Sequence, residues 1–102
     1  MDARIILGRI LQRLIDTKKA QADGFKSFKL VHYNKSSIII LREKGTEAVI
    51  PFKKLLVGIE AFQSDPSLYD RGPSSLRPFG LTHITSPIYA LLHLLNREDF
   101  KL

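Results

Sequence analysis

The side chains of this sequence that could bind a ligand are mostly cationic. Lysine and arginine number 16 against 10 aspartate and glutamate residues, which gives a formal net charge of +6. The excess is uneven, because residues 1–30 carry +4, residues 31–63 carry +2 and residues 64–102 are neutral. A clustered positive charge favours a polyanionic partner, although the same charge can simply keep a small protein in solution.

Nucleic acid is the polyanion that we expect, with phosphates bound by the basic residues of positions 1–63. The candidates are Arg9, Arg13, Lys18, Lys19, Lys26, Lys29, Lys35, Lys53 and Lys54. Tyr33 is expected on the solvent-facing side of a strand, where its ring can stack on a base. Three antiparallel strands followed by a helix recur in small DNA-binding modules, which is an analogy of fold alone. Aromatic and basic residues are not interleaved, and no recognition-helix pattern is present.

Two positions suggest a more local anion site. Lys53 and Lys54 fall in the first turn of a predicted helix, where a cation opposes the helix dipole unless an anion lies nearby. The favoured alternative is that both lysines are simply solvated, since the dipole effect is only about 0.3–1 kcal/mol.

A second local site would combine Arg71 and Arg77 with the hydroxyls of Ser74 and Ser75, a set that can bind phosphate or carboxylate. No GxxxxGK[ST] or GxGxxG nucleotide loop accompanies it. The slightly favoured alternative pairs these arginines with Asp65 and Asp70, which would hold the loop in place.

Catalytic, metal and cofactor sites find little support in the residue types. There is no cysteine, which excludes disulfides, thiolate metal sites and a cysteine nucleophile. His32, His83 and His93 lack metal-ligand spacing, and GxSxG and HExxH motifs are missing. We therefore expect a non-catalytic protein without a cofactor, and we assign the histidines to structural hydrogen bonds.

The elements that must position these groups are typical of one α+β domain. The pattern predicts a helix from Ala3 to Ala22, capped by Asp2 and stopped at Asp23-Gly24. A three-stranded antiparallel meander follows, and then two helices beginning near Pro51 and Thr85. The predicted strands are Lys26–Tyr33, Ser37–Arg42 and Thr46–Ile50. The two helices are joined by a long ordered loop, Ser64–Thr85, expected to contain short helical turns.

The faces of the strands can also be predicted. In the first strand, alternation places Phe28, Leu30 and His32 on one face and Lys29, Val31 and Tyr33 on the other. The row Ile38–Leu41 is apolar at every position, which predicts a middle strand covered on both sides.

We expect the apolar surface of the last helix to be too large for one copy of the chain to cover, and this predicts a homodimer. Ile5 lies among polar residues of the first helix, near Gly8, and its position suggests a close contact with another molecule. The expected interface residues are Ile5, Gly8, Ile88, Leu91, Leu92 and Leu95. A homo-oligomeric adaptor that binds another protein is thus the alternative function, and a compact monomer is the alternative state.

The N-terminal residues do not form an uninterrupted apolar segment, since Asp2, Arg4, Arg9 and Arg13 divide it. The longest apolar runs are also too short to cross a bilayer. These features predict a cytoplasmic protein with no membrane partner.

Overall fold

The computed structural model describes residues 2–101. Helix α1 covers Ala3–Thr17, and the carboxylate of Asp2 caps it by accepting a 2.8 Å hydrogen bond from the N–H of Arg4. Its buried apolar stripe consists of Ile6, Leu7, Ile10 and Leu14. The capping residue and the stripe agree with the prediction, because both are local properties of the sequence.

The first helix ends five residues earlier than predicted. Lys18 adopts a left-handed backbone conformation with φ of 64°, and its N–H bonds to the carbonyl of Leu14. The following residues form strand β1, Lys19–Gln21, in which Ala20 is buried between two exposed neighbours. The helix-forming tendency of this segment is overridden because pairing with a second strand buries Ala20 in the core.

Four strands, where three were predicted, form one antiparallel sheet in the order β1-β2-β3-β4. The remaining strands are β2 at Ser27–Tyr33, β3 at Ser37–Arg42 and β4 at Glu47–Pro51. The side chain of Asn34 closes the β2–β3 turn, since its Oδ1 accepts the N–H groups of Ser36 and Ser37 at 2.9 Å. The predicted α+β class and antiparallel meander are confirmed.

The helices pack against one face of the sheet. The core on that face includes Ala20, Phe28, Ile38, Ile40, Ala48 and Ile50. The opposite surface, which we call the open face, carries Lys19, Lys29, Val31, His32, Ile39, Leu41, Glu47 and Val49. There Val49 is 57% exposed, while Ile39 and Leu41 are half-buried. The prediction that β3 is covered on both sides was wrong, because the apolar stripes of all three α-helices join one core.

A β-bulge in β2 reverses the predicted orientation of its last residues. Leu30 pairs with Ile40, but the next pair is His32 with Ile39, which leaves Val31 as the extra residue. Beyond the bulge, Tyr33 pairs with the buried Ile38 and therefore points to the helix side, whereas His32 points to the open face. The ring of Tyr33 is nonetheless 50% exposed, because it lies at the end of the strand.

Helix α2 covers Phe52–Ser64, and its buried stripe consists of Leu55, Gly58, Ile59, Ala61 and Phe62. The predicted turns in the following loop are present as two 3₁₀ helices, Pro66–Asp70 and Pro73–Phe79. Asp65 caps the first by accepting the N–H of Ser67 at 3.2 Å. The buried Leu68 and Leu76 of these turns add apolar cover to the core.

Helix α3, Thr85–Leu92, is enclosed by its own chain. The side chains of Ile88, Leu91 and Leu92 are fully buried, and Leu95 is 3% exposed. The expectation that one copy cannot cover this helix is therefore corrected, because the Pro73–Phe79 turn, α1, α2 and the first two strands surround it. A final 3₁₀ helix, Arg97–Phe100, packs against α2 and the Pro66–Asp70 turn. No helix within residues 2–101 has the length and apolarity needed to span a bilayer.

Candidate nucleic-acid interface

Two lysines of the open face are direct cross-strand neighbours. In the β1–β2 register Lys19 lies opposite Lys29, and the same row continues through Leu41 to Glu47. Like charges placed directly opposite each other destabilise a sheet. Glu47, the acid of this row, lies on β4, two strands away from Lys29. Neither lysine of the pair therefore has a carboxylate directly opposite it on a neighbouring strand.

Further cations surround the adjoining end of the sheet. Lys18 lies beside β2, since its carbonyl accepts the N–H of Leu30, and the start of α2 lies beside the β2–β3 turn, since Phe52 N–H bonds to Ser36 O. With the lysine pair these cations form what we call the basic surface: Lys18, Lys19, Lys29, Lys35 and Lys53. Arg13 is not part of it, because it lines a cavity with Arg9 and Asp99. Among the residues that the structure describes, none of the five lysines has a carboxylate within 4.0 Å.

The nearest acid in the sequence to this surface, Asp16, is exposed and accepts a 3.1 Å hydrogen bond from the side-chain amide of Gln12. Glu43 also borders this surface, because it lines the same cavity as Lys29. The basic surface therefore combines five cations from three elements and two turns. This grouping requires the folded sheet, because the residues span positions 18–53.

Other predicted cations lie elsewhere. Arg9 is 3.9 Å from Asp99, and Lys54 Nζ is 3.5 Å from the carbonyl of Gly80. Lys26 lies in the β1–β2 turn, at the far end of the sheet from Lys35. These residues do not extend the basic surface.

The arginine and serine set of the long loop is dispersed. Arg71 lies 3.9 Å from Asp65, as the alternative interpretation had it. The second half of that interpretation was wrong, because Asp70 pairs with Arg97 at 3.1 Å and Arg77 is exposed. The hydroxyl of Ser75 donates to the carbonyl of Gly72 at 2.7 Å and so is occupied inside the loop. Ser74 is exposed. No convergent anion site is visible in this loop.

Of the predicted interface residues, Ile5 and Gly8 remain on the surface of α1. Ile5 is 55% exposed, and a Cβ built on Gly8 would meet no heavy atom within 4 Å. Ile88, Leu91, Leu92 and Leu95 are inside the protomer and so cannot meet a second copy without rearrangement.

A small apolar cavity of about 210 Å³ adjoins the basic surface. It lies between α1 and the sheet, and Tyr33, Asn34, Leu11, Ile15 and Phe52 are among its lining residues. Its position accounts for the half-exposure of Tyr33, whose ring lies at the rim.

At the other end of the sheet lies a larger cleft of about 330 Å³, which we call the aromatic cleft. Its walls include Asp23, Phe25, Tyr69, Asp70, Tyr89 and His93. Sequence reasoning missed it, because the residues come from three segments far apart in the chain. The pairing of Tyr89 with His93 on one helical stripe was its only sequence signal.

Hydrogen bonds tie the walls of the aromatic cleft to the backbone. The hydroxyl of Tyr89 donates to Tyr69 O at 2.6 Å and accepts the N–H of Gly72 at 3.1 Å. Tyr69 donates its hydroxyl to Leu95 O at 2.7 Å. The two ring nitrogens of His93 lie 2.8 Å from Tyr89 O and 2.9 Å from Tyr69 O. A neutral imidazole can donate only one of these bonds, whereas an imidazolium can donate both.

Burial and nearby acids also shape the electrostatics of the aromatic cleft. Burial, followed by the negative charge of Asp70, raises the pKa of Tyr69. Burial also raises the pKa of Tyr89, against a smaller opposing effect of the hydrogen bond from Gly72. Both phenols are thus held in the neutral, proton-donating form. Within residues 2–101 no group of three or more histidines and acids is placed to hold a metal ion.

Comparison of the chain with models of protein families, with curated proteins and with solved structures finds no match in any of the three. Its function is therefore inferred from its own residues.

Proposed function

We propose that this protein binds single-stranded nucleic acid across the open face of its sheet and along the basic surface. The observation that carries the proposal is the Lys19–Lys29 pair, two cations held side by side on an uncovered face. Such a pair is unfavourable in the free protein and favourable once a phosphate lies between the ammonium groups. Lys18, Lys35 and Lys53 extend the positive charge from this pair toward the β2–β3 turn and the start of α2.

A single strand suits this face better than a duplex. Beside the lysine pair the face carries apolar side chains, Val31, Ile39 and Val49, together with the ring of His32. Unpaired bases can lie against such a surface while their phosphates meet the lysines, whereas a duplex presents its phosphates and hides the base faces. His32 is the one aromatic ring that the described open face offers for stacking.

The proposal is tested by fluorescence anisotropy with labelled single-stranded RNA and DNA over a range of salt concentrations. If all five cations neutralise phosphates, the log of the association constant falls with the log of salt with a slope of about −3.5. The double variant Lys19→Gln/Lys29→Gln should reduce the size of this slope by about 1.4 and weaken binding by about tenfold per lysine at roughly 50 mM salt.

The matched control is Arg71→Gln/Lys101→Gln, which removes the same charge from side chains that are ion-paired with Asp65 and Glu98. It should leave the salt slope unchanged. Absence of binding at about 50 mM salt to every single strand tried, or equal effects of the two double variants, would overturn the proposal.

Self-association through the open face is the second candidate. It is favoured by the exposed side chains of Val31 and Val49, with the half-buried Ile39 and Leu41 on the same face. The two edges of the sheet are poorer contacts, because β1 has only three residues, and β4 has five and ends in Pro51, which lacks an N–H. Light scattering at high micromolar concentration tests this candidate. A dimer that Val49→Lys dissociates and Ile5→Lys preserves would place the interface on the sheet, and a strictly monomeric protein would exclude it.

A further inference from the structure

We propose that the aromatic cleft binds an alkylated ammonium group, such as a quaternary amine or a methylated lysine side chain. The cleft lies at the end of the sheet opposite the basic surface, between the β1–β2 turn, the Pro66–Asp70 turn and α3. This second site is independent of the nucleic-acid interface, and either can be present without the other.

The rings of the cleft are the first observation. Phe25 stands in the β1–β2 turn with 45% of its surface exposed, although a large apolar ring gains from burial. Its ring meets that of Tyr89 edge to face, with centroids 5.7 Å apart and an angle of 74°. Tyr89 is only 3% exposed, and the ring of Tyr69, on the opposite segment, stacks on His93 with centroids 3.9 Å apart. Phe25 is therefore the most open ring of the cleft, and the negative potential of its face can attract a cation.

The charge of the cleft is the second observation. Asp23 and Asp70 both line it. Asp70 has Arg97 at 3.1 Å, whereas Asp23 has no cation within 4.0 Å among residues 2–101. The negative charges of Asp70 and Asp23 both contribute to the raised pKa of Tyr69. A positive ligand would therefore be favoured over a negative one.

The hydrogen bonds already made in the cleft favour an alkylated ammonium group over a simple one. Its phenol hydroxyls and imidazole nitrogens already bond to backbone groups, and the side-chain amide of Gln21 donates to Phe25 O at 2.8 Å. A simple ammonium group needs three acceptors, and this site offers it little beyond the carboxylates. An alkylated ammonium needs few or none, and it gains from contact with rings.

The size of the cleft is compatible with such a head group. Its volume of about 330 Å³ is near the lower end of the range of small-molecule sites, roughly 300–1,000 Å³.

The test is a heteronuclear NMR titration of the intact protein with choline and with its neutral tert-butyl analogue. We expect choline to shift the backbone signals of Asp23, Phe25 and Gly72 in a saturable way, and the neutral analogue to cause no saturable shift. Equal binding of the two compounds would show that charge is not recognised, and it would overturn the proposal. Absence of saturable binding by both choline and a trimethyllysine peptide would overturn it as well.

A second titration distinguishes a methylated protein ligand from a small-molecule ligand. A short peptide with trimethyllysine is compared with the same peptide carrying unmodified lysine. Binding tighter than that of choline, and lost without the methyl groups, supports a protein ligand. Binding by choline with no gain from the peptide supports a small molecule.

Two variants connect the binding to these residues. Phe25→Leu keeps an apolar side chain in an exposed turn, and it should weaken binding by about threefold to thirtyfold. Phe79→Leu is the matched control, because Phe79 is a comparably exposed phenylalanine outside the cleft. Equal affinities of these two variants would contradict the assignment. The Lys19→Gln/Lys29→Gln protein should bind choline normally, which separates this proposal from that of nucleic-acid binding.

Discussion

Gly58 of α2 and Ile88 of α3 approach so closely that a Cβ on Gly58 would lie 2.9 Å from Cγ2 of Ile88. Both residues are fully inside the core, and the next nearest atom, Cδ1 of Leu92, would be at 3.3 Å. The glycine therefore sets the distance between the two helices, and a larger residue would have to move them apart.

Gly58→Ala should lower the free energy of unfolding, although alanine favours a helix by about 1 kcal/mol over glycine. Overpacking of the core costs roughly 1–3 kcal/mol, and this effect is expected to win. Urea denaturation followed by circular dichroism measures the difference. Gly8→Ala is the control, because a Cβ there meets open space, and it should stabilise α1 by up to about 1 kcal/mol. A stabilised Gly58→Ala protein would contradict the close packing.

The hydroxyl of Tyr89 joins α3 to the loop between α2 and α3, through Tyr69 O and Gly72 N. Tyr89→Phe keeps the ring but removes the acceptor of the Gly72 N–H and leaves Tyr69 O with His93 Nε2 alone, so it should destabilise the protein by about 1–3 kcal/mol. Thermal or urea unfolding tests this. Tyr33→Phe removes a hydroxyl from a half-exposed ring and should change stability by less than about 0.5 kcal/mol. Equal effects of the two substitutions would argue against the role of the Tyr89 bridge.

For the Lys19–Lys29 pair we predict that removal of one charge raises the stability of the fold and weakens nucleic-acid binding. Lys29→Gln should raise the free energy of unfolding by about 0.2–1 kcal/mol at low salt, because it removes the repulsion across β1 and β2. The same variant should weaken nucleic-acid binding. Lys35→Gln, in the β2–β3 turn, should weaken binding without the gain in stability. A Lys29→Gln protein that is less stable than the parent would show that the pair is not repulsive.

Acid sensitivity should depend on Glu43. The N–H and hydroxyl of Ser27 both donate to its carboxylate, at 2.9 Å and 3.2 Å, and the backbone bond is the largest cause of its lowered pKa. A carboxylate with a lowered pKa stabilises the folded state above its unfolded pKa, and this contribution is lost as pH falls through the folded pKa. The stability difference between the parent protein and Glu43→Gln should therefore shrink between about pH 5 and pH 3.

Urea denaturation at several pH values measures this difference. Glu60→Gln, an exposed position on α2, is the control and should show a smaller change over the same interval. A difference between the parent and Glu43→Gln that stays constant with pH would contradict a stabilising Glu43–Ser27 bond.

The sequence alone determined the elements that depend on neighbouring residues. The Asp2 cap, the apolar stripes of α1 and α2, the strands β2, β3 and β4 and the turns of the long loop follow from spacing, capping and proline positions. These features arise from contacts within about one turn or one hairpin, so a linear pattern is sufficient to predict them. The positive excess of residues 1–63 is likewise a property of composition.

The tertiary structure decided what depends on distant partners. Lys19–Gln21 becomes a strand only by pairing with Ser27–Lys29, the bulge at Val31 reverses Tyr33 and His32, and the long loop hides the apolar surface of α3. Both candidate sites are of this kind. The five cations of the basic surface and the three segments of the aromatic cleft meet because folding buries the apolar side chains between them. Local preference carries no information about which segments that burial brings together.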